Sequence, residues 1–568
     1  MSHLRRSETG PIVQDVAVNP LFRCSKTVGA ARRLDRLALC VLAVVAVIAL
    51  STFGDYGLGW DDYTHSQYGQ LLVALYRSGF TDRRALSFVN LYMYGGGYDI
   101  LATLTAKILP FGLFETRRLV GALIGIVGLF VTWRLGRRLG GPFAGAVALV
   151  LLAACPLYYG HMFINAKDGP FATYMAVALL GIVRAFDEYP RASPATLALC
   201  GAGIGLAIGA RVLGGFAVLE AALPLFYILA VRWHECGVRT AAAELGAYLA
   251  PFIPAVILAY LVMGLVWPWA VLSPFNPFHA VEYFSNFFEK PWRELFDGQI
   301  NLVPDMPRSY VPILMALQTP ELMLLLGLLG IAGAVFVVLR GAESGLGAGR
   351  RAALCAVLIA ALLPMLITVA ERPAMYNGIR HFVFTFPPLA VLGGLAAAWI
   401  APRLQRYGGV AAVAAAALAL VAGVTSPVVE MVRLHPYQYT YYNHLIGGVA
   451  GARPRFMIDY WGLSMTQASR RLRAWIEARG EKPPAGRPWK VAVCGPHPAV
   501  EVALGPNYST IWDPNGADFA MMLNEFYCAK LDAPILLQVV RDGVVYARVY
   551  DIRGLSVSSL LAYPSVNQ

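Results

Sequence analysis

Charge is what this chain has least of. Only 14% of its 568 residues are charged, where a soluble protein averages about 25%. It is 58% hydrophobic, with a mean hydropathy of +0.57. That deficit excludes one large water-soluble core and points to many membrane crossings, each needing about 20 mostly apolar residues. Cysteine is sparse too, at eight residues. Cys40, Cys155, Cys200 and Cys355 lie in apolar runs as small hydrophobes, and no metal-ligand spacing appears among the eight. Cys494 and Cys528 are the only pair in the polar C-terminal part. A disulfide between them is open if that part faces an oxidising compartment, because spacing alone does not fix their Cα separation. Acidic residues fall short of basic ones, 34 against 46, for a net charge of +12. The basic residues, mostly Arg, cluster at the ends of apolar runs, which is how orientation is encoded in membrane proteins; nucleic acid is excluded as a partner on that ground. No internal repeat is evident.

What the chain does have is a succession of apolar runs. Residues 1–36 form a basic tail (Arg5, Arg6, Arg23, Lys26, Arg32, Arg33, Arg36), read as cytoplasmic and disordered. Leu37–Phe53 is the first span, running outward. An external segment, 54–117, follows: Asp61–Arg77 reads as an amphipathic helix with Leu71, Leu72 and Leu75 on one face, ending at Gly79, and Tyr98–Leu109 as a second interfacial piece. Further spans are expected near 119–133, 142–157, 170–184, 195–213, 216–231, 245–267, 322–339, 352–369, 382–400 and 409–429, with a second external loop at 268–318 rich in Pro, Phe and Trp. The fold class is therefore a polytopic α-helical membrane protein, about eleven transmembrane helices within 37–429, N-terminus in and C-terminus out. The basic character of the first external segment, Arg117 and Arg118 included, is the weak point of that orientation.

Residues 430–568 read as a small external α/β domain. Ser464 and Gln467 have capping-box spacing ahead of a helix carrying Ala468, Leu472, Trp475 and Ile476 on one face. Trp489–Cys494 reads as a strand, and Ile535–Ile552 as a hairpin turning at Asp542-Gly543.

On this topology ionisable groups converge on one surface: Asp61, Asp62 and His65, then Lys167 and Asp168, then Arg380 and His381, with Arg211 near the outer end of the fifth span. A carboxylate there can take a proton from an acceptor, and cations can hold a phosphate as it leaves. Each has a plainer reading. Asp61 or Asp62 can cap the following helix, and so can Asp168. Lys167, Arg380 and His381 can be interfacial flanks. Arg211, inside apolar sequence, is a functional candidate by default, with a pair to Glu220 as the plainer alternative.

Trp60-Asp61-Asp62 with its amphipathic helix, then Asn165-Ala166-Lys167-Asp168-Gly169-Pro170-Phe171, resembles the dolichyl-phosphate-mannose-protein mannosyltransferase-like family of C-type membrane glycosyltransferases, with the aminoarabinose transferases as relatives. Gly378-Ile379-Arg380-His381-Phe382, His435-Pro436-Tyr437-Gln438-Tyr439 and Asp459-Tyr460-Trp461-Gly462 resemble a bacterial branch. The resemblance implies a polyprenyl-phosphate-linked sugar donor and inverting transfer on the external face of a bacterial inner membrane, the C-terminal domain being periplasmic. It implies Asp61 as general base, Asp62 as the paired acid and Asp168 as the second acidic position. Lys167, Arg211, Arg380, His381 and His65 are candidates for the phosphate and substrate. The acceptor, a protein or an envelope glycolipid, does not follow. Two departures stand out: Asp62 replaces the usual Glu, one methylene shorter, and Ala166 replaces a Pro. A divalent metal is compatible with the resemblance, but nothing in the sequence requires one. The alternatives are a polytopic lipid or solute transporter or flippase, which would favour midplane charges and inverted repeats, and a non-enzymatic scaffold.

Overall fold

A computed structural model describes residues 28–286 and 292–560. Most of the basic tail expected at 1–36 therefore lies outside the described residues. Helix α1 (Val28–Thr52) starts well before the apolar run. Its polar first turns are tied to the bundle by Asp35, which meets the Arg137 guanidinium at 2.7 Å. The amphipathic stretch forms α2 (Asp62–Arg77), whose Leu72 and Leu75 are buried, and the interfacial piece forms α3 (Gly97–Thr105).

The bundle continues with α4 (Leu113–Ala153), α5 (Pro156–Ile164), α6 (Asp168–Asp187), α7 (Pro194–Ala210), α8 (Phe216–Cys236), α9 (Val238–Leu249) and α10 (Ile253–Val266). After α11 (Asn276–Ser285) and the hairpin of β1 (Arg293–Phe296) and β2 (Gln299–Leu302) come α12 (Tyr310–Gln318), α13 (Glu321–Leu339), α14 (Ala348–Glu371) and α15 (Phe386–Leu434). Among the described residues, eight helical segments are long and apolar enough to cross a membrane, and α7 is a shorter apolar helix.

Eleven separate crossings were expected. Two of the three units of difference lie in α4 and α15, each of which holds two expected spans on either side of a turn at glycine; the third is α7, shorter than the others. Gly141 has φ 82° and Gly409 φ 63°, conformations that residues with a Cβ rarely adopt. In α4 the chain reverses: a Cβ on Gly145 would lie 2.8 Å from the Trp133 carbonyl oxygen. In α15, Gly327, Gly330 and Gly333 of α13 face Leu389, Leu392 and Trp399 in turn, while Gly423 has returned to Leu322 at the start of α13. Each of these segments is therefore two helices joined at a glycine, with arginines on the approach to the turn (Arg137 and Arg138 before Gly141, Arg403 and Arg406 before Gly409).

The C-terminal part follows α15, which extends to Leu434, and opens with a short helix, α16 (Gly448–Ala452). Helix α17 (Ser464–Ala478) buries Ala468, Leu472 and Ile476 against a five-stranded sheet and ends before Gly480 (φ 61°), as its periodicity implies. The strands are β3 (Trp489–Cys494), β4 (Tyr508–Ile511), β5 (Phe519–Leu523) and, after the two-residue β6 (Lys530–Leu531), the hairpin β7 (Ile535–Arg541) and β8 (Val544–Asp551). Their order is β4-β3-β5-β8-β7, β3 being parallel to both neighbours and β8 antiparallel to β5 and β7. Helix α18 (His497–Leu504) links β3 to β4. The hairpin turns at Asp542 (φ 46°) and Gly543 (φ 74°), the two positive φ values of a type I′ turn. Cys494 and Cys528 are joined as a disulfide, with Cα atoms 5.7 Å apart.

The capping box is not formed. Gln467 instead accepts the Tyr437 hydroxyl at 2.6 Å. The amides of Leu463 and Ser464 donate to the Asp459 carboxylate at 3.1 and 3.2 Å. A buried carboxylate from the preceding turn displaces the local cap.

Candidate active site

The loop before α2 is clamped to the C-terminal part. The Trp60 amide donates to the Trp461 carbonyl at 3.3 Å, and the Leu58 amide to the Thr466 hydroxyl at 2.9 Å. Gly59 fits against the Trp461 ring, which a Cβ would approach to 2.0 Å. Beneath this clamp lies a cavity of about 370 Å³. Its wall includes Asp61, His65, Lys167, Glu294, Arg380 and Trp461.

Asp61 occupies the N-cap position of α2, yet its side chain makes no cap hydrogen bond. It points into the cavity, 37% exposed, with Lys167 Nζ 2.9 Å away. Enclosure by protein pushes its carboxyl up, but the Lys167 ammonium, with His65 and Arg380, outweighs this and holds it well below the usual carboxylate range. Lys167 is shifted in the complementary sense: burial disfavours its charge, and Asp61 more than restores it. The Lys167 ammonium also lies 5.1 Å over the Tyr94 ring, a favourable cation–π placement.

Asp62, the neighbouring carboxylate, turns the other way. It is 3% exposed, accepts the Gly59 amide at 2.8 Å and takes the Arg118 guanidinium at 2.7 and 2.6 Å. It is not among the cavity-lining residues. The expected partner of Asp61 is thus turned away from the cavity into a buried ion pair, and the shortened side chain is met by a long one reaching from α4.

His65 donates from Nδ1 to Asp99 Oδ2, 2.8 Å away, and Asp99 Oδ1 takes Arg117 at 2.6 Å. Burial pushes the Asp99 carboxyl up, and His65 with Arg117 brings it below its usual value. Arg117 and Arg118, the basic residues that sat awkwardly in an external segment, are the buried counter-ions of Asp99 and Asp62.

Asp168 does not line the cavity, contrary to expectation, and is 1% exposed. Its carboxylate forms ion pairs with Arg211 and with Arg380 at 3.2 Å and accepts the Asn165 amide nitrogen at 2.8 Å. The cap of α6 is supplied by Asn165, whose Oδ1 takes the Lys167 and Asp168 amides at 3.0 and 2.8 Å. Arg211 thus pairs with Asp168, and the plainer alternative of a pair with Glu220 does not hold. The Arg380 guanidinium lies 4.9 Å over Trp461 and 5.1 Å over Tyr376. His381 faces a second, mostly apolar cavity of about 320 Å³ that it shares with Arg211, Phe216 and Phe384. Tyr94 and Tyr376 line both cavities, which makes them neighbours through a shared wall.

One cavity residue was missed by sequence reading. Glu294, on β1, is 4% exposed. It accepts the Tyr310 hydroxyl at 2.5 Å and the Asn377 amide at 2.6 Å. Burial lifts it to about 7, against the hydrogen bonds from Tyr310 and Asn377. No short motif surrounds it.

The charges leave an imbalance with a chemical meaning. Asp61, Asp62 and Asp99 each balance one cation, Lys167, Arg118 and Arg117. Asp168 alone faces two, Arg211 and Arg380. One buried positive charge is in excess where the two cavities meet, and buried charge is costly unless paired. An anion of phosphate type suits that position, because guanidinium forks match its oxygens. Among the described residues no group of three or more His, Cys, Asp or Glu is placed to hold a metal ion.

A polar cavity at the ends of membrane-spanning helices, with one accessible carboxylate and surplus guanidinium, is the class of site defined so far. Residues 97–269, which include α3, the Arg117–Arg118 pair, Lys167–Asp168 and Arg211, match the family model of dolichyl-phosphate-mannose-protein mannosyltransferases, the family that the short motifs resemble. No curated protein sequence matches the chain. Among solved structures, ArnT from Cupriavidus metallidurans in the apo state is similar over 92% of this chain and 98% of its own, at 17% identity and TM-score 0.46. An oligosaccharyltransferase from Archaeoglobus fulgidus is similar over 85% of this chain and 64% of its own, at 15% identity and TM-score 0.46. The arabinosyltransferase EmbB from Mycobacterium smegmatis is similar over 64% of this chain and 30% of its own, at 16% identity and TM-score 0.37.

Proposed function

We propose that the protein is a membrane glycosyltransferase that moves a sugar from a polyprenyl-phosphate carrier to an envelope acceptor, with inversion, on the outer face of a bacterial inner membrane. The observation that carries this reading is the division of the cluster. Asp61 alone among the aspartates opens into the cavity, and Asp168 carries two guanidiniums. The lipid phosphate sits against Arg211 and Arg380, its isoprenoid chain in the apolar cavity along Phe216 and Phe384, and its sugar in the polar one. Charge then develops on the leaving phosphate next to fixed cations. Asp61 engages the acceptor's proton and faces the sugar carbon, which becomes oxocarbenium-like. Asp62 and Asp168 position these groups rather than react. The family match over residues 97–269 supports the same chemistry. The transporter reading is weaker, because the cavity's charged groups sit at helix ends and loops, not at mid-span.

The test uses the purified full chain in nanodiscs with undecaprenyl-phosphate-linked mannose, glucose, galactose and aminoarabinose. Release of undecaprenyl phosphate from at least one donor is expected, abolished in Arg211→Ala with Arg380→Ala. Release from none of them counts against the reading.

A further inference from the structure

One buried group on the cavity wall has no role in that scheme. His65 is 2% exposed, and its Nδ1 is held by Asp99 at 2.8 Å. Asp99 is 1% exposed and Arg117, behind it, is fully buried. Since a carboxylate only accepts, the proton of a neutral ring sits on Nδ1, and Nε2 carries the lone pair. Nε2 is buried and has no hydrogen-bond partner, while the residue lines the cavity beside Asp61. A histidine that only ties α2 to α3 would have both nitrogens satisfied, as buried polar atoms generally are. Here the one left over belongs to a side chain on the wall of the space a substrate would enter.

We propose that His65 is the proton acceptor of the transfer, with Asp99 and Arg117 as the positioning pair behind it. This rests on the transferase reading. Asp61, an anion stabilised by Lys167, draws the acceptor's O–H or N–H into line but is too weak a base to keep the proton. As the acceptor's lone pair forms the bond to the sugar carbon, the bond from that carbon to the phosphate oxygen breaks. Its electron pair leaves on the lipid phosphate. The O–H or N–H electrons stay on the acceptor atom, and the proton passes to His65 Nε2, directly or through one water. The imidazolium is then balanced by Asp99, whose other oxygen is fixed by Arg117. The remaining charged groups around His65 are Asp61 from its own helix turn and Lys167, Arg293, Arg380 and Glu294 across the cavity. The other titratable side chains of the wall are tyrosines.

The experiment measures undecaprenyl-phosphate release between pH 5 and 9 by the full chain in nanodiscs, with the donor panel above and water as the nucleophile. For the wild type the rate should rise with pH through one ionisation, because only a ring with a free lone pair takes the proton. His65→Gln should lower kcat about 10²–10⁴-fold, the usual share of a general base, leave KM within threefold and erase that ionisation. Asp99→Asn should move the ionisation to lower pH. A His65→Gln enzyme with the wild-type pH profile overturns the proposal. If the wild type releases nothing from any donor, the transferase reading fails, and the ring nitrogens decide separately. In ¹⁵N-histidine-labelled wild type, a neutral His65 protonated at Nδ1 supports the dyad. The opposite tautomer, or an imidazolium across the whole pH range, overturns it.

Discussion

Two buried polar clusters flank the Tyr460–Trp461 turn, and they solve the problem of buried charge in opposite ways. On the cavity side the aspartates are matched by guanidinium and ammonium groups, with one cation to spare, and only Glu294 is held by a hydroxyl and an amide instead. On the far side, in the C-terminal part, Asp459 and Glu525 are both buried and have no cation in an ion pair among the described residues. Glu525 instead accepts the amides of Ile458 and Asp459 at 3.1 and 2.8 Å. Asp459 accepts the amides of Leu463 and Ser464 and the hydroxyl of Tyr439. Burial, reinforced by Asp459, pushes Glu525 up to about 8, and burial raises Asp459 to about 6. The cavity cluster keeps its aspartates charged for chemistry, whereas the far cluster is a scaffold that shares protons. It holds the turn from which Trp461 reaches the cavity.

That contrast can be broken at several points. The largest effect is expected on the cavity side from Arg118→Met, which leaves the buried Asp62 without its counter-ion. Loss of one member of a buried pair costs about 3–5 kcal/mol, so the variant should unfold at clearly lower temperature in a detergent melt. A melt unchanged from wild type would show that Asp62 is not a clamp. On the far side, replacing Cys494 and Cys528 together by Ser releases a loop of 34 residues and should cost about 3–4 kcal/mol. Because the disulfide anchors the C-terminal part and not the bundle, that loss should appear as early melting of the sheet followed by proteolysis beyond Leu434. Within the site, Arg380→Lys keeps the charge but loses the planar fork over Trp461. Donor KM should rise about tenfold with little change in stability.

The smallest effect separates the clusters by pH. A carboxyl whose folded pKa is raised contributes stability that is complete below its ordinary value, about 4.3 for Glu, and is lost as pH climbs through the folded value. Stability should therefore decline from about pH 5 to 9 as Asp459 and then Glu525 ionise. Glu525→Gln should flatten the upper part of that decline by a few degrees of melting temperature. Asp61 has the opposite sign: its contribution is present above the ordinary carboxyl range and lost only in strong acid. A Glu525→Gln melt as steep as wild type would remove the proton-sharing account.

Much of this was legible in the sequence, for reasons that are local. The leucine spacing after Asp61 specified α2, the face of Ala468, Leu472 and Ile476 specified α17, and Asp542-Gly543 specified the hairpin turn. What was not legible was pairing at a distance. Asp61 and Asp62 are chemically the same and adjacent, and only the approach of Lys167 to one and Arg118 to the other assigns them. The pair at Arg117–Arg118 gave a signal, as basic residues out of place for the charge rule, but its meaning required α4 to be seen against α2 and α3. Glu294 gave none. The Ser464–Gln467 spacing misled because a buried carboxylate competes with any local cap. The expected boundaries near 133–142 and 400–409 fall where Gly141 and Gly409 turn the chain within α4 and α15.

The central claim is that Asp61 and Asp62, one residue apart, have separate work. Its most direct test is donor cleavage by Asp61→Asn and Asp62→Asn side by side, with the fold of each verified by its melt. The account predicts that Asp61→Asn is still folded at the assay temperature and binds donor but releases undecaprenyl phosphate at least about 10²-fold more slowly, while Asp62→Asn melts earlier still and, at temperatures where it is folded, retains most of its turnover. Equal turnover by Asp61→Asn and wild type would contradict it.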